Sequence, residues 1–290
     1  MKFGTTVMGV SFRSYPEVAA AYEANGFESI WVPEHLVFPL EMPPTYPYSD
    51  SGYPPVTPDT PSYDPWVVLS YIGAATQRIR LATNIYILPL RHPLQTARSV
   101  VTVDRVTGGR VTLGIGVGWL EDEFDYLDLD FPSRGRRTDA AIGAIRRLWR
   151  EEVIEVHDEF FDFGPVKFNP KPLQQPSIPI EVGGTSAPAL RRAGRLGDGW
   201  IEFGSADLDQ FKTRLATVMD ARTDANRSGP FEVTASGTLV TDLDSYHRLE
   251  DAGATRVITG PPIRDRNTRL SPADVIEWAK RFGDEIISRM

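Results

Sequence analysis

Short apolar runs alternate with helical segments along the chain, and this alternation limits the fold more than any other feature of the sequence. Eight runs have the composition and length of strands, at residues 3–10, 29–32, 80–88, 111–115, 178–182, 199–203, 231–239 and 255–259. Each run is followed by sequence of helical character. Strands that alternate with helices form parallel sheets, and eight such units close into a barrel. We therefore predict an α/β fold, a (β/α)8 or TIM barrel, as a single domain spanning residues 1–290.

Capping residues mark where several predicted helices begin. Asp64 and Pro65 precede a helix at 66–76, as an N-cap and a first-turn proline. The other helices are predicted at 15–25, 93–107, 138–150, 187–196, 208–226, 243–252 and 272–289, with Asp242 as a further cap. A doubly wound open sheet is the rival fold. It would carry a glycine fingerprint after the first strand, and residues 9–12 (GVSF) are not that motif.

The composition excludes several classes of chemistry. The chain has no cysteine, which removes thiolate catalysis, cysteine zinc sites and iron–sulfur clusters and agrees with a reducing cytoplasm. Its net charge is −8 without a basic stripe, so we expect no nucleic-acid partner. The arginines of 134–150 are interpreted as a solvated helix face that pairs with the acidic residues before it. No apolar run has the length of a membrane span, so we expect no membrane partner and a cytoplasmic location.

Two stretches interrupt the alternation. Residues 33–65, after the second strand, contain ten prolines together with Tyr46, Tyr48, Tyr53 and Tyr63. Proline fixes φ and removes an amide donor, so this proline-rich loop insertion cannot form a helix or a central strand. Because long loops in compact domains are usually functional or disordered, we predict an ordered lid over the barrel mouth, with a surface insertion as the alternative. Residues 151–176, before the fifth strand, are predicted to form a short hairpin without a chemical role.

The carboxyl ends of barrel strands carry the active sites of such barrels, so residues there are the first candidates. The second strand ends in WVPEH, which places Glu34 and His35 at the mouth. A carboxylate beside an imidazole can act as an acid/base pair, since histidine titrates near neutrality. We name both residues as catalytic candidates. The alternative is that His35 only hydrogen-bonds the loop and that Glu34 faces solvent.

Glycines end the fourth and fifth strands. Gly116 and Gly118 would let a flat or charged ligand approach the backbone closely, or would allow tight packing inside the barrel. Gly183, Gly184 and Thr185 lead into a helix, whose free amides and positive dipole end suit a phosphate. For this turn, simple helix capping is the alternative.

A metal centre is not predicted. The four histidines are scattered, without the spacing of paired ligands. The one dense run of carboxylates, at 121–130, lacks the glycine-containing pattern of a calcium loop and is interpreted as an acidic helix and turn. The sequence also has no nucleophile elbow, Walker A loop or Rossmann fingerprint.

Five blocks of the sequence, taken in order, resemble the luciferase-like F420-dependent oxidoreductases. They are WVPEHL at 31–36, LATNIYILPLRHP at 81–93, VDRVTGGRVTLGIGVGW at 103–119, the basic helix after Arg134, and IPIEVGGTSAPALRRAGRLGDGW at 178–200. Together they span nearly the whole chain. The resemblance implies a deazaflavin, coenzyme F420, at the carboxyl ends of the strands, and hydride transfer between it and a small organic substrate.

The resemblance also implies roles for individual residues. It implies a bulge on the third strand with a non-prolyl cis peptide between Asn84 and Ile85, which would back the deazaflavin ring. Glu34 and His35 would lie beside the ring. The other implied contacts are Gly116 and Gly118 at the ring edge and Gly183, Gly184 and Thr185 at the tail phosphate.

One position departs from the family's pattern. Sugar-phosphate dehydrogenases of this family have a glutamate directly after the Gly-x-Gly of the fourth strand, where this chain has Trp119. The bulky side chain favours an apolar or aromatic substrate over a sugar phosphate. Two alternatives stay open, an FMN-dependent monooxygenase of the same superfamily and a flavin- or F420-binding protein without turnover. We expect the chain to form a homodimer.

Overall fold

The computed structural model describes residues 1–262 and 270–290. In chain order the strands are β1 (Lys2–Thr5), β2 (Ser29–Val32), β3 (Arg80–Thr83), β4 (Tyr86–Ile87), β5 (Val111–Gly116), β6 (Ile154–His157), β7 (Asp162–Val166), β8 (Ile180–Gly183), β9 (Gly199–Ile201), β10 (Glu232–Ser236) and β11 (Arg256–Ile258). Nine of these strands form one parallel sheet. Strands β6 and β7 pair with each other, antiparallel, as the predicted hairpin.

The large sheet closes on itself. Strand β1 pairs with both β2 and β11, and β5 pairs with β3, β4 and β8. Strands β3 and β4 share one position of the ring, so the barrel has eight strand positions, and the predicted (β/α)8 barrel is confirmed. The predicted third strand, 80–88, differs in one respect. It is interrupted at Asn84 and Ile85, where the backbone leaves the ladder.

Helices follow the strands around the barrel. They are α1 (Tyr15–Ala24), α2 (Pro65–Ala75), α3 (Pro93–Val106), α4 (Glu121–Asp125), α5 (Arg134–Arg150), α6 (Ala187–Leu196), α7 (Leu208–Asp224), α8 (Leu243–Asp251) and α9 (Pro272–Glu285). Apolar side chains between the strands and these helices form the main core. In the described part of the chain, no helix combines the length and the hydropathy that a membrane crossing requires.

Local capping explains why most helix starts agree with the sequence. The carboxylate of Asp64 accepts from two amides of the first turn of α2, directly before Pro65. Ser186 and Asp242 cap α6 and α8 in the same way. Helix α5 begins at Arg134, four residues before the predicted start, because a 3-10 turn leads straight into it.

The arginines of α5 have other partners than the sequence predicted. Among the described residues, Arg136 pairs with Glu159 of the hairpin, and Arg146 Nη2 lies 2.8 Å from Asp198. In the described part of the chain no ion pair joins them to the acidic residues 121–130, although the charge of Glu121 counteracts part of the fall that burial causes in the pKa of Arg134. The observed partners are brought to α5 by the tertiary fold, which a local charge pattern does not show.

The amino-terminal end of the barrel holds a cluster of buried charge. Arg256 Nη1 donates to both carboxylate oxygens of Glu181, at 2.8 and 3.1 Å, and to Thr234 Oγ1 at 2.8 Å. Its Nε donates to Glu28 at 3.0 Å, and Glu232 lies 3.5 Å from Nη2. Burial alone would lower the pKa of Arg256, but the three surrounding carboxylates raise it. We call these five residues the lower cluster.

Candidate active site

The interrupted third strand lies in the wall of the barrel mouth, where the strands reach their carboxyl ends. The peptide bond between Asn84 and Ile85 is cis, as the sequence predicted. The amide of Asn84 donates to the carbonyl of Val32 at 2.9 Å, and Tyr86 and Ile87 pair with β5. Both flanks of this bulge are therefore held by neighbouring strands.

Three of the predicted glycines surround the bulge. A Cβ at Gly116 would lie 1.8 Å from Ile85 Cδ1, and a Cβ at Gly183 would lie 2.9 Å from Ile85 Cγ2. The side chain of Ile85 therefore lies against β5 and β8 only because both positions lack a Cβ. Gly118 has φ +82°, and a Cβ there would lie 2.9 Å from Ile87 Cγ2. Tight packing, the alternative left open for Gly116 and Gly118, is present at both positions.

Glu34 lies behind the bulge. It is 5% exposed, and its Oε2 accepts from the amide of Ile87 at 2.8 Å. The other oxygen forms an ion pair with Arg91, whose guanidinium lies 4.6 Å from the ring centre of Tyr86. Burial raises the pKa of Glu34 to about 7, although Arg91 and the Ile87 amide counteract part of that rise. We call Glu34 and Arg91 the upper pair.

His35 has a different carboxylate as its partner. Its Nδ1 lies 2.9 Å from Oε2 of Glu123, which is the third residue of α4. The other oxygen of Glu123 accepts from the amide of Leu36 at 2.6 Å, and the amide of Val37 lies 3.5 Å away. The side chain of Glu123 is fully buried, whereas that of His35 is 18% exposed. An imidazole held in this way can exchange a proton through Nε2.

The carboxylate bonded to the imidazole is Glu123 and not its chain neighbour Glu34, and the catalytic roles of Glu34 and His35 stay predictions. Within the described residues no hydrogen bond joins the side chains of Glu34 and His35, and the alternative of a solvent-facing Glu34 is wrong as well. Glu123 was missed because residues 121–130 were interpreted as an acidic helix and turn without a chemical role. One signal could have identified it. This segment follows the fourth strand directly, so one of its carboxylates has to face the mouth.

The glycine turn after β8 leads into the amino terminus of α6. The carbonyl of Gly184 accepts from Trp200 Nε1 at 3.0 Å, and its φ is +118°. A Cβ at this position would lie 2.9 Å from the Cβ of Ala189, so the turn accepts only glycine there. Thr185 follows with its side chain at the mouth, and Ser186 caps the helix. Helix capping, the alternative for this turn, is therefore present through Ser186, and the amide of Gly184 donates to the carbonyl of Ile201 at 3.3 Å.

The segment 33–65 lies across the mouth, as predicted for a lid. Tyr46 contacts the ring of Trp119 edge-on at 5.2 Å, and Tyr48 contacts Phe203 edge-on at 5.1 Å. The hydroxyl of Tyr48 is hydrogen-bonded with the side chain of Thr185. The lid thus contacts residues that follow three different barrel strands.

A small pocket lies between the lid and the ends of β1 and β2. Its lining includes Glu34 and His35 among apolar neighbours, of which Met8, Val32 and Phe38 belong to different segments. In residues 1–262 and 270–290, no group of three or more histidine, aspartate or glutamate side chains could hold a metal ion.

Comparisons with known proteins agree with this architecture. The family model described as luciferase-like monooxygenase matches residues 2–284. An uncharacterized protein of Mycobacterium tuberculosis is 34% identical over 260 residues, which are 90% of this chain and 89% of that protein. The monooxygenase RslO1 of Streptomyces bottropensis superposes with a TM-score of 0.80 at 21% identity, covering 100% of this chain and 99% of its own. The coenzyme F420-dependent tetrahydromethanopterin reductase of Methanopyrus kandleri superposes with a TM-score of 0.76 at 18% identity, covering 99% of both chains.

Proposed function

The chain belongs to the luciferase-like monooxygenase family, and from that premise we propose that it is an F420-dependent oxidoreductase. It transfers a hydride between the deazaflavin and a small organic substrate. The observation that carries the proposal is His35, an acid/base group bonded to a buried carboxylate at the same barrel mouth as the bulge. The shared fold of an F420-dependent reductase supports the choice of cofactor.

The residues at the mouth fit a flat ring with a phosphate-bearing tail. Asn84 and Ile85 would back the ring, and the backbone of Gly116 and Gly118 would lie at its edge. The turn 183–185, at the amino terminus of α6, would take the phosphate with its amides and the positive end of the helix dipole. When bound, the deazaflavin supplies a ring carbon that accepts or gives up a hydride.

His35 handles the proton that accompanies the hydride. Glu123 occupies Nδ1, so Nε2 is the nitrogen left for the substrate. The ring of Trp119 contacts the imidazole edge-on at 5.6 Å, and Phe38 of the lid lies 4.8 Å from it. These rings cover part of the imidazole, and reduced access of water strengthens the electrostatic interactions of the reacting atoms.

We propose an apolar or aromatic substrate rather than a sugar phosphate. Edge-on contacts of 5.1–5.5 Å connect the aromatic rings at the mouth in a continuous series: Trp119, Tyr46, Tyr48 and Phe203. Aromatic walls favour ligands with apolar or aromatic surface, which they bind by burial and by edge-on or offset stacking. This wall also agrees with the presence of Trp119 where a sugar-phosphate enzyme has a glutamate.

A second candidate is an FMN-dependent monooxygenase. The description of the matching family and the fold of RslO1 both favour it. The phosphate turn and the bulge fit either cofactor, because FMN and F420 share the phosphate-bearing tail. In that case His35 and the aromatic wall keep their places, and molecular oxygen becomes a co-substrate.

Parallel titrations with F420 and FMN separate these candidates. Both cofactors are tested oxidised and, without oxygen, reduced, and binding is followed by quenching of tryptophan fluorescence. Since Trp119 lies at the mouth, the Trp119→Phe variant is the matched control and should lose much of the quenching. We expect F420 to bind at least about tenfold more tightly than FMN, a difference of roughly 1.4 kcal/mol.

An FMN affinity equal to or above that of F420, in either redox state, would replace the first candidate with the second. Binding of neither cofactor would overturn both. Binding without turnover of any apolar alcohol, ketone or enone would favour the non-catalytic binding protein. The homodimer and the cytoplasmic location stay predictions.

A further inference from the structure

We propose that Glu123 is the positioning residue of the active site. It holds the neutral imidazole of His35 with its proton on Nδ1, so that Nε2 is a proton acceptor facing the substrate, and it ties this state to the first residues of the lid. This inference rests on the proposed function, since it assigns His35 its protonation state in that reaction.

The contacts of Glu123 carry the argument. Each of its oxygens has its own donors: Oε2 faces Nδ1 of His35 at 2.9 Å, and Oε1 faces the amide of Leu36 at 2.6 Å. The amide of Val37 also points to Oε1, at 3.5 Å. The whole side chain is shielded from solvent, although it lies in a run of otherwise largely exposed carboxylates. An isolated buried carboxylate would be costly, so its place depends on these three donors.

The tautomer follows from the chemistry of the two groups. An ionised carboxylate only accepts hydrogen bonds, and a neutral imidazole donates from one nitrogen and accepts at the other. In a neutral His35 bonded to an ionised Glu123, Nδ1 would therefore carry the proton and Nε2 the free electron pair. When the substrate is oxidised, Nε2 would bind the proton that the substrate heteroatom releases. In the reducing direction the same proton returns.

The same carboxylate anchors the lid. Leu36 and Val37 are the first residues after His35, so their bonds to Glu123 fix the point where the lid leaves the barrel. The far end of the lid is bonded to His35, because Ser62 Oγ donates to the carbonyl of His35 at 2.6 Å. One buried side chain thus sets both the protonation state of His35 and the path of the segment that covers it.

The Glu123→Gln variant separates these two roles. The backbone amides of Leu36 and Val37 can only donate, so the amide oxygen of the glutamine has to take the place of Oε1. Its NH2 group then faces Nδ1 of His35 and donates to it. The lid anchor is kept, whereas the imidazole proton has to move to Nε2. The catalytic triad offers a precedent: an asparagine in place of its aspartate fixes the wrong tautomer and costs about 10⁴-fold in kcat.

The test reads the tautomer of His35 directly, by nitrogen NMR of the ring on the purified protein at a pH where the imidazole is neutral. The His35→Gln variant assigns the signal among the four histidines. We expect the proton on Nδ1 in the natural protein and on Nε2 in Glu123→Gln. The matched control is Glu121→Gln, which changes an exposed carboxylate of the same short helix and should leave the tautomer as it is.

A proton on Nε2 in the natural protein, or the same tautomer in both proteins, would overturn the proposal. Turnover gives the second reading: Glu123→Gln should lose about 10²–10⁴-fold in kcat with the cofactor Kd within a few-fold of the natural value. The NMR measurement needs no cofactor, so its failure is distinguishable from a failure of the proposed function. A tautomer switch without binding of F420 or FMN would uphold the geometry and overturn only the reaction.

Discussion

Two groups of buried charge lie at opposite ends of the same barrel, and their hydrogen bonds are satisfied to different degrees. In the lower cluster, Arg256 meets three carboxylates and a threonine hydroxyl. In the upper pair, Glu34 is held by Arg91 and one amide, and Nη1 of Arg91 has no hydrogen-bond partner among the described residues. The amino-terminal end of such barrels serves stability and the carboxyl-terminal end serves function. The group with the more complete hydrogen bonding lies at the end that serves stability, and the group with the less complete hydrogen bonding lies at the end that serves function.

Each group contains a carboxylate whose pKa is raised by burial and partly lowered again by its arginine. Burial raises the pKa of Glu181, but Arg256 is bonded to both of its oxygens and counteracts this rise. Burial raises the pKa of Glu34 to about 7, close to neutrality, despite its arginine. A carboxylate whose pKa lies near neutral pH is typical of functional sites. Selection for stability alone would not retain such a buried group. Four experiments test this difference between the two ends of the barrel.

The largest effect is expected from Arg256→Ala. The substitution leaves buried carboxylates without their cation, which costs about 3–5 kcal/mol of the free energy of unfolding. Urea unfolding of the variant measures this loss. The control is Arg136→Ala, which removes an exposed ion pair with Glu159 and should cost less than about 1 kcal/mol. Equal losses in the two variants would mean that the lower cluster has no special part in stability.

At the mouth, His35→Ala should change turnover rather than stability. Loss of the acid/base group is expected to lower kcat by roughly 10²–10⁴-fold, while the urea midpoint and the cofactor Kd stay near their natural values. Steady-state kinetics with the identified cofactor measures kcat. His157→Ala, on the exposed hairpin, is the control histidine. A kcat within a few-fold of the natural value would leave His35 a structural residue.

Glu34→Gln tests the upper pair through pH. The unfolded carboxyl titrates near 4.5 and the folded one near 7, so between these values the folded chain keeps a proton that the unfolded chain has released. The stability that this group contributes is therefore complete below pH 4.5 and is lost as pH rises through 7. The loss amounts to roughly 3 kcal/mol at 1.36 kcal/mol per pKa unit.

Unfolding free energies measured from pH 4.5 to pH 8 in the natural protein and in Glu34→Gln check this prediction. The variant should lack that part of the decline. Parallel curves for the two proteins would show that Glu34 titrates in its ordinary range.

The smallest effect is expected from Tyr48→Phe in the lid. It removes the hydroxyl bonded with Thr185, a loss of about 0.5–1.5 kcal/mol. The Kd of a phosphate-bearing cofactor should rise several-fold, while a deazaflavin fragment without phosphate should bind unchanged. The control is Tyr53→Phe, because the ring of Tyr53 is exposed and belongs to the same lid. Equal changes for the two ligands would remove Tyr48 from the phosphate site.

The fold was predictable because its signals are local. The alternation of strands and helices, the cap at Asp64 with Pro65, and the cap at Asp242 each lie within a few residues of the element that they mark. The bulge at Asn84 came from the family resemblance, since nothing in LATNIYIL alone requires it. The residue types alone predicted one uninterrupted strand over 80–88, which shows that local sequence does not indicate the bulge.

The active site was predictable only in part. Glu34 and His35 are chain neighbours at a strand end, and side chains of successive residues in extended chain point to opposite sides, so a shared partner was improbable on geometric grounds. The actual partner of His35, Glu123, is 88 residues away, and only the closed barrel brings the two together. Residue types at strand ends indicated a candidate location, whereas tertiary geometry determined which side chains meet there.

The packing of Ile85 against Gly116 and Gly183 has a consequence for anyone who redesigns the mouth. One branched side chain fills the space of three positions, on three neighbouring strands. The three sites therefore share a fixed volume, and an alanine at Gly116 becomes tolerable only together with a smaller residue at Ile85. Libraries that vary these codons one at a time would sample almost only inactive sequences, whereas joint variation with the summed volume held constant gives access to new pocket shapes.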